Sequence, residues 1–261
     1  MTPTPPGTDS GRGDFRVIAQ HLRDAIAAGT YRAGDRLPSE RVLAATHNVA
    51  RNTAREAVAQ LQREGLVVAE HGRGVFVRQK PRWMRFGRRR YSAAMRTFND
   101  LGPFGAEAAA QGRTPRVDCT SITQINPPPE VAERLDIGLT DQVVRRENWY
   151  YADEEPVQVG VTFAPWRIVE GTPIADSVDM GPEGIYGQFA ARGHVITYTR
   201  EQIDARMPTH EEVTRLHIPI GTPVIDLWHT GIDASRQPFE VTHFIMRADL
   251  VALDYDMPVE D

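Results

Sequence analysis

Leu37-Pro38-Ser39-Glu40-Arg41-Val42-Leu43-Ala44-Ala45-Thr46-His47-Asn48-Val49-Ala50-Arg51-Asn52-Thr53-Ala54-Arg55-Glu56-Ala57 is the stretch that decides how the front of this chain folds. Ser39 can cap a helix, because its hydroxyl accepts from a free amide of the first turn, and Glu40 then faces the positive end of the helix dipole. That helix is expected to be short, running to about Thr46. After His47-Asn48-Val49 another begins near Arg51, with Ala54, Ala57, Val58 and Leu61 at the i, i+3, i+4, i+7 spacing of a buried face. Arg51, Asn52 and Arg55 fall off that stripe within one turn. An arginine fork matches the O6/N7 acceptors of guanine and an asparagine can read adenine, so these three are candidate base-reading side chains.

Working outward, Phe15, Ile18, Ala19, Leu22 and Ile26 recur at spacings of three and four until Gly29 ends the pattern, which predicts a first helix. On the other side Gly65 stops the helix that begins at Arg51. Leu66 to Ala69 and Val75 to Val77 then flank His71-Gly72-Arg73-Gly74, a hairpin signal with glycines where positive φ is needed. Three helices and a hairpin make a winged helix-turn-helix over residues 14–80. Residues 1–13, rich in proline and glycine without apolar periodicity, are expected to be a disordered tail. Residues 81–98 hold Arg88-Arg89-Arg90 within a basic stretch and read as a linker.

The chain has 261 residues, 41% hydrophobic and 25% charged, enough for two domains. No run of eighteen apolar residues exists and the start lacks a basic stretch followed by an apolar one, so a cytoplasmic protein without a membrane span is expected. One cysteine, Cys119, excludes an internal disulfide and a metal-thiolate cluster. The net charge of −5 conceals an asymmetry: residues 1–96 carry +10 and residues 97–261 carry −15. Nucleic acid is therefore expected at the front only.

Behind the linker, residues 99–261 read as an α+β domain built on an antiparallel sheet. Strands are expected at Val117–Ile125, Gln142–Ala152, Val157–Phe163, His194–Ala205, Pro223–Asp233 and Pro238–Met246. Helices are expected at Pro103–Gln111, Glu130–Leu135, Ile185–Arg192 and Thr209–Leu216. His194, His210, His217, His229 and His243 show no close ligand spacing, so no metal site is predicted, and nothing calls for a cofactor.

The front resembles the GntR family of bacterial transcription regulators through Tyr31-Arg32-Ala33-Gly34-Asp35-Arg36-Leu37-Pro38-Ser39-Glu40-Arg41, Arg51-Asn52-Thr53-Ala54-Arg55-Glu56-Ala57, Gly65-Leu66 and Gly72-Arg73-Gly74-Val75-Phe76-Val77. The rear is similar to the UTRA effector domain of the HutC subfamily, whose fold is like that of chorismate lyase. The pieces that carry this likeness are Tyr151-Ala152-Asp153-Glu154-Glu155-Pro156-Val157, Ala205-Arg206-Met207-Pro208-Thr209, Gly221-Thr222-Pro223-Val224 and Phe239-Glu240-Val241. The resemblance implies that Arg41, Arg51, Thr53 and Arg55 contact bases and phosphates, with His71 and Gly72 at the wing tip; Asn52 joins them by its place on the helix, and Arg73 by steering toward or contacting the backbone. Ala50 stands where the family usually has Ser or Thr, which removes a cap hydroxyl and a phosphate contact.

The resemblance also implies a small-molecule effector in the rear domain. Members that sense phosphorylated sugars carry an Arg-x-Arg pair before the Asp-x-Glu-Pro-like hairpin, and here those positions hold Asn148 and Tyr150. Period-two alternation puts Arg146, and not Arg145, on their face. A further acid expected on the next strand falls on Gly160. These departures argue against a sugar phosphate and for a roomier aromatic pocket lined by Arg146, Asn148, Tyr150, Thr162, Tyr186, Glu240 and Met246, suited to a neutral or weakly acidic organic ligand. The expected function is a homodimeric repressor released from a pseudo-palindromic double-stranded DNA operator by its effector. The alternatives are a constitutive DNA-binding dimer of plasmid transfer or copy control, and a chorismate-lyase-like enzyme. No nucleophile and base stand at recognisable spacing, so no catalytic residue is assigned.

Overall fold

The computed structural model describes residues 10–70, 72–78, 83–85, 102–181 and 184–257, which form two compact units, the first ending near residue 80 and also holding Ile218–Thr222. The first unit comprises α1 (Ser10–Ala27), α2 (Glu40–His47), α3 (Arg51–Arg63), β1 (Val67–Glu70) and β2 (Gly74–Val77). Helix α1 begins at Ser10, inside the segment expected as tail. Once the turn at Phe15 is packed, extending the helix outward costs little, so helix need not stop where the apolar stripe does. Its other end closes as the glycine signal requires: Gly29 sits at φ 75° and donates to Ile26, and Thr30 donates to Ala25, satisfying carbonyls of the last turn.

Ser39 caps α2 by accepting from the Val42 amide, whereas α3 starts at Ala50 with no side-chain cap. Phe15, Ile18, Leu22, Leu37, Leu43, Ala54, Val58 and Leu61 close one core with Val67 and Val77 of the hairpin. Each Val, Leu, Ile or Phe among them contributes about 1.5–3 kcal/mol by leaving water. The extended segment before α2 lies along β2, with Leu37 donating to Val75 and Gly34 to Val77. Gly74 is required by that approach: its φ is 122°, and a Cβ there would stand 2.7 Å from the Arg36 Nε.

The second unit is built on a six-stranded antiparallel sheet of order β4-β5-β6-β9-β8-β7. Its strands are β4 (Pro115–Ile125), β5 (Val143–Ala152), β6 (Glu155–Pro165), β7 (Tyr198–Arg206), β8 (Val224–Ile232) and β9 (Pro238–Arg247). Helix α5 (Pro129–Leu135) covers one face, with Val131 and Leu135 against Val143, Phe163 and Val241. The opposite face carries α4 (Gly102–Ala110), the one-turn helices α6 (Trp166–Val169) and α7 (Pro173–Asp176), and α8 (Gly184–Ala191). Helix α9 (His210–Arg215) begins in a capping box, Thr209 and Glu212 each accepting from the other's backbone amide.

Further features of the second unit depart from the expectations. Strand β3 (Trp83–Arg85) lies inside the expected linker and pairs in parallel with β10 (Val251–Leu253). Helices α6 and α7 were not foreseen, since four residues hold too little periodicity to register.

Register sets up the site. Ile122, Arg146, Thr162, Thr242, His229 and Glu201 are consecutive cross-strand partners over β4, β5, β6, β9, β8 and β7. Directly paired residues share a face, so this row places one arginine, two threonines, a histidine and a glutamate along a single line beneath α4 and α8.

Candidate functional site

In the first unit, α3 turns its apolar stripe inward and leaves Arg51, Asn52 and Arg55 exposed on its N-terminal turn, with Thr53 half-buried. Glu40, the first residue of α2, accepts from both arginines: Arg51 Nε at 3.2 Å and Arg55 Nε at 3.3 Å. One carboxylate thereby holds the two guanidinium groups near each other without burying them. Arg41 is exposed on the first turn of α2. At the hairpin, Gly72 sits at φ 72°, and Arg73 pairs with Glu70 and lies over the Phe76 ring. His71 lies outside the described residues.

In the second unit a cavity of about 480 Å³ opens between the polar row and the helices above it. Arg146, Asn148, Tyr150 and Thr162 reach it from β5 and β6, Tyr186 from α8 and Glu240 from β9. Six of the seven residues expected at the ligand site thus line one cavity. Met246 does not: it is buried in the core with Phe244 and Leu227, and its sulfur faces the Arg85 guanidinium at 3.9 Å. Alternation along β9 gives it the correct face, but the cavity ends before its position.

The sequence reading passed over Cys119, Thr242, Phe104 and Phe244, which also line the cavity. Alternation from Glu240 already points to Thr242 and Phe244, whereas Cys119 needs the β4–β5 register that pairs it with Asn148. The missing acid at position 160 also has a physical reason. A Cβ on Gly160 would stand 2.8 Å from the Phe244 ring and 3.2 Å from that of Tyr150, so two aromatic rings fill the space that a longer side chain would need.

Two charged groups dominate the cavity. Arg146 is 2% exposed, and its Nη1 donates to the carbonyls of Ile174 and Ser177, each at 2.8 Å, and more distantly to that of Pro173. Its Nη2 meets the Cys119 sulfur at 3.6 Å. Burial pushes the Arg146 pKa down from its ordinary value. Glu240 is also buried; Tyr186 donates to its Oε1 at 3.1 Å and Thr242 to its Oε2 at 2.9 Å. Gly231, directly across the strand pair, makes room for this carboxylate, since a Cβ there would lie 3.0 Å from Glu240 Oε1.

Behind Glu240 the charges continue through the domain. His229 Nε2 stands 3.0 Å from Glu240 Oε1, and its Nδ1 stands 3.0 Å from Glu201 Oε1. Burial opposes charge on this imidazole, but the carboxylates on both sides outweigh it and hold its pKa above the ordinary range. Burial likewise opposes charge on Glu201, and His229, Arg85 and Tyr255 outweigh it, lowering its pKa to about 2. Arg85, from β3, completes the chain of charges at 3.0 Å from Glu201 and lies over the Phe244 ring. Among the described residues no group of three His, Cys, Asp or Glu side chains could hold a metal ion, and no helix is long and apolar enough to cross a membrane.

Comparison with known proteins bears on both units. The profile of the bacterial regulatory proteins of the gntR family matches residues 16–77, and that of the UTRA domain matches residues 110–252, more than half of the chain. The chain is 28% identical over 252 residues to the "Uncharacterized HTH-type transcriptional regulator SCO4628" of Streptomyces coelicolor, covering 95% of this chain and 93% of that one. It is 24% identical over 243 residues to the "Probable fructoselysine utilization operon transcriptional repressor" of Escherichia coli K12, covering 93% of each. Among solved structures, one assigned to the GntR family of transcriptional regulators superposes with a TM-score of 0.64 at 25% identity, over 95% of this chain and 98% of the other. PhnF from Mycobacterium smegmatis shares the fold, with a TM-score of 0.58 at 22% identity over 94% and 100%. With a winged helix-turn-helix in front and an antiparallel-sheet effector domain behind, this chain belongs to the UTRA-domain transcriptional regulators of the GntR family, the architecture of the HutC subfamily.

Proposed function

We propose that the chain is a homodimeric repressor, acting in the cytoplasm, that binds a pseudo-palindromic operator and leaves it when a small molecule other than a sugar phosphate fills the rear cavity. The observation that carries this reading is the 480 Å³ cavity with polar groups converging on it, in the same chain as the exposed arginine turn of α3. A constitutive DNA-binding dimer would need no such cavity. The chain is a regulator and not an enzyme, in keeping with the relatives' names.

In this reading Arg51, Asn52 and Arg55 meet base edges, Arg41 and Thr53 meet phosphates, and His71, Gly72 and Arg73 form the wing contact. Dimerisation follows from site arithmetic, since one module reads few base pairs and a two-fold protein reads two half-sites. Effector and DNA then compete through a coupling free energy of about 1–3 kcal/mol.

The test is selection of bound duplexes from a random library, followed by titration of the recovered site against metabolites at fixed salt. A two-fold site whose occupancy falls with one metabolite is expected. A single asymmetric half-site would overturn the dimer, and a two-fold site that no metabolite disturbs would leave the constitutive alternative.

A further inference from the structure

The buried guanidinium of Arg146 is anchored on one side and lacks a partner on the other among the described residues. Nη1 is committed to the carbonyls of Ile174 and Ser177, while Nε–H meets no acceptor among the described residues and Nη2 has only the soft contact to the Cys119 sulfur. Nε–H and Nη2–H lie along one edge of the guanidinium plane and form a two-pronged donor. Among the described residues no carboxylate stands within ion-pair distance of it, and Asp176 acts on it only from farther away, which is unusual for a buried cation. The neighbouring Arg145, by contrast, meets Glu147 at 2.9 Å. The position is also not one of the Arg-x-Arg positions, which hold Asn148 and Tyr150 here.

The rest of the cavity limits what can sit on that edge. Glu240 lines the same cavity from β9, as do Asp118 and Asp179. Glu240 is balanced by His229 behind it and Asp118 by Arg116, so a monoanion matches the single charge of Arg146, whereas a dianion such as a phosphate monoester leaves an excess of negative charge. Two coplanar oxygens match the Nε/Nη2 edge, and Tyr150 and Phe244 give an apolar wall beside it.

We infer that the effector is an organic monocarboxylate with an apolar or aromatic body, its carboxylate seated on the Nε/Nη2 edge of Arg146. This rests on the effector reading above and names the chemical class of the ligand.

Cys119, the one cysteine of the chain, lines the cavity beside Arg146 and reports on the site without knowledge of the physiological ligand. Iodoacetate and iodoacetamide are a carboxylate and its neutral amide counterpart. Each alkylates the thiol by forming a C–S bond as the C–I bond breaks, with iodide leaving and the thiol proton passing to buffer. The measurement is the iodoacetate-to-iodoacetamide rate ratio at Cys119 of the full chain, by intact mass, divided by the same ratio for N-acetylcysteine. Any effect of Arg146 on thiolate formation cancels in this ratio.

The expected ratio is about tenfold in favour of iodoacetate, as a charge-assisted bidentate contact should give, falling to about one in Arg146→Gln. A second measurement needs no variant: phenylacetate should slow labelling of the native chain while phenylacetamide at matched concentration does not. A ratio below about threefold, or equal slowing by acid and amide, overturns the inference. The assay contains no DNA, so the two readings fail separately. Acid-selective protection without any effect on operator binding would support the carboxylate site and count against its role as the effector site, and release of the operator only by an uncharged metabolite would do the reverse.

Discussion

Glu40 and Glu201 each bridge two cations at almost the same distances, yet water makes them different objects. Glu40 holds Arg51 and Arg55 at 3.2 and 3.3 Å with their side chains 67% and 59% exposed. Glu201 holds Arg85 and His229 at 3.0 Å with theirs 1% and 0% exposed. In high dielectric the first cluster contributes little to folding and leaves its arginines available to another anion. In the interior the second is a commitment, since each charge depends on the others to offset lost hydration. Distance alone therefore says nothing about what an ion pair does; exposure decides whether it recognises or supports.

The comparison can be broken most severely at its buried end. Glu201→Leu leaves Arg85 and His229 facing no carboxylate on β7 and should lower unfolding free energy by about 3–5 kcal/mol, read by urea denaturation of the full chain. A loss below about 1 kcal/mol would mean that water reaches this cluster and that the two carboxylates are alike after all. At the exposed end, Arg55→Ala should cost about 1–3 kcal/mol of operator binding, measured by anisotropy at fixed salt, while unfolding changes by no more than about 0.5 kcal/mol. A protein that unfolds more easily but binds DNA normally would reverse the assignment.

Titration sharpens the contrast further. His229 has a raised pKa in the folded state, so its contribution is complete below about pH 6.5 and is lost as pH rises through the folded value. Glu201 has a lowered one, so its contribution is complete above about pH 4.5 and is lost as pH falls towards about 2. Melting temperature should therefore decline from neutral pH into the alkaline range, and His229→Gln should remove that part of the decline. The smallest change is expected from Glu40→Gln, which should alter unfolding by less than about 1 kcal/mol while tightening binding to non-specific DNA, because one negative charge has left the arginine turn. An Arg51 and Arg55 pair that no longer distinguishes operator from random duplex would show that Glu40 also orients them.

The same contrast explains what could be read beforehand. The helix face around Arg51 was legible because i, i+3, i+4, i+7 spacing states which residues are buried, and those left over are exposed. Alternation along β5 put Arg146, Asn148 and Tyr150 on one face, and all three line the cavity. The buried charges Arg85, Glu201 and His229 were illegible, since they meet only through the pairing of β8 with β7 and of β3 with β10. An arginine in a basic stretch looks like a solvated linker until the strand that receives it is known, and that strand is the last one described in the chain. Met246 failed for a simpler reason: period two assigns a face but not the extent of the cavity along it.

The pairing of β3 with β10 has one more consequence, for protein engineering. The strand by which the chain comes into the rear domain and the strand by which it goes out run side by side, Trp83 opposite Val251, at the spacing of about 4.8 Å between neighbouring strands. The domain is thus a clasped loop, with its two attachment points within about 10 Å of each other. Insertion of this segment into a surface turn of an unrelated host would therefore ask little of the host backbone, because its two ends need no long connection to reach one another.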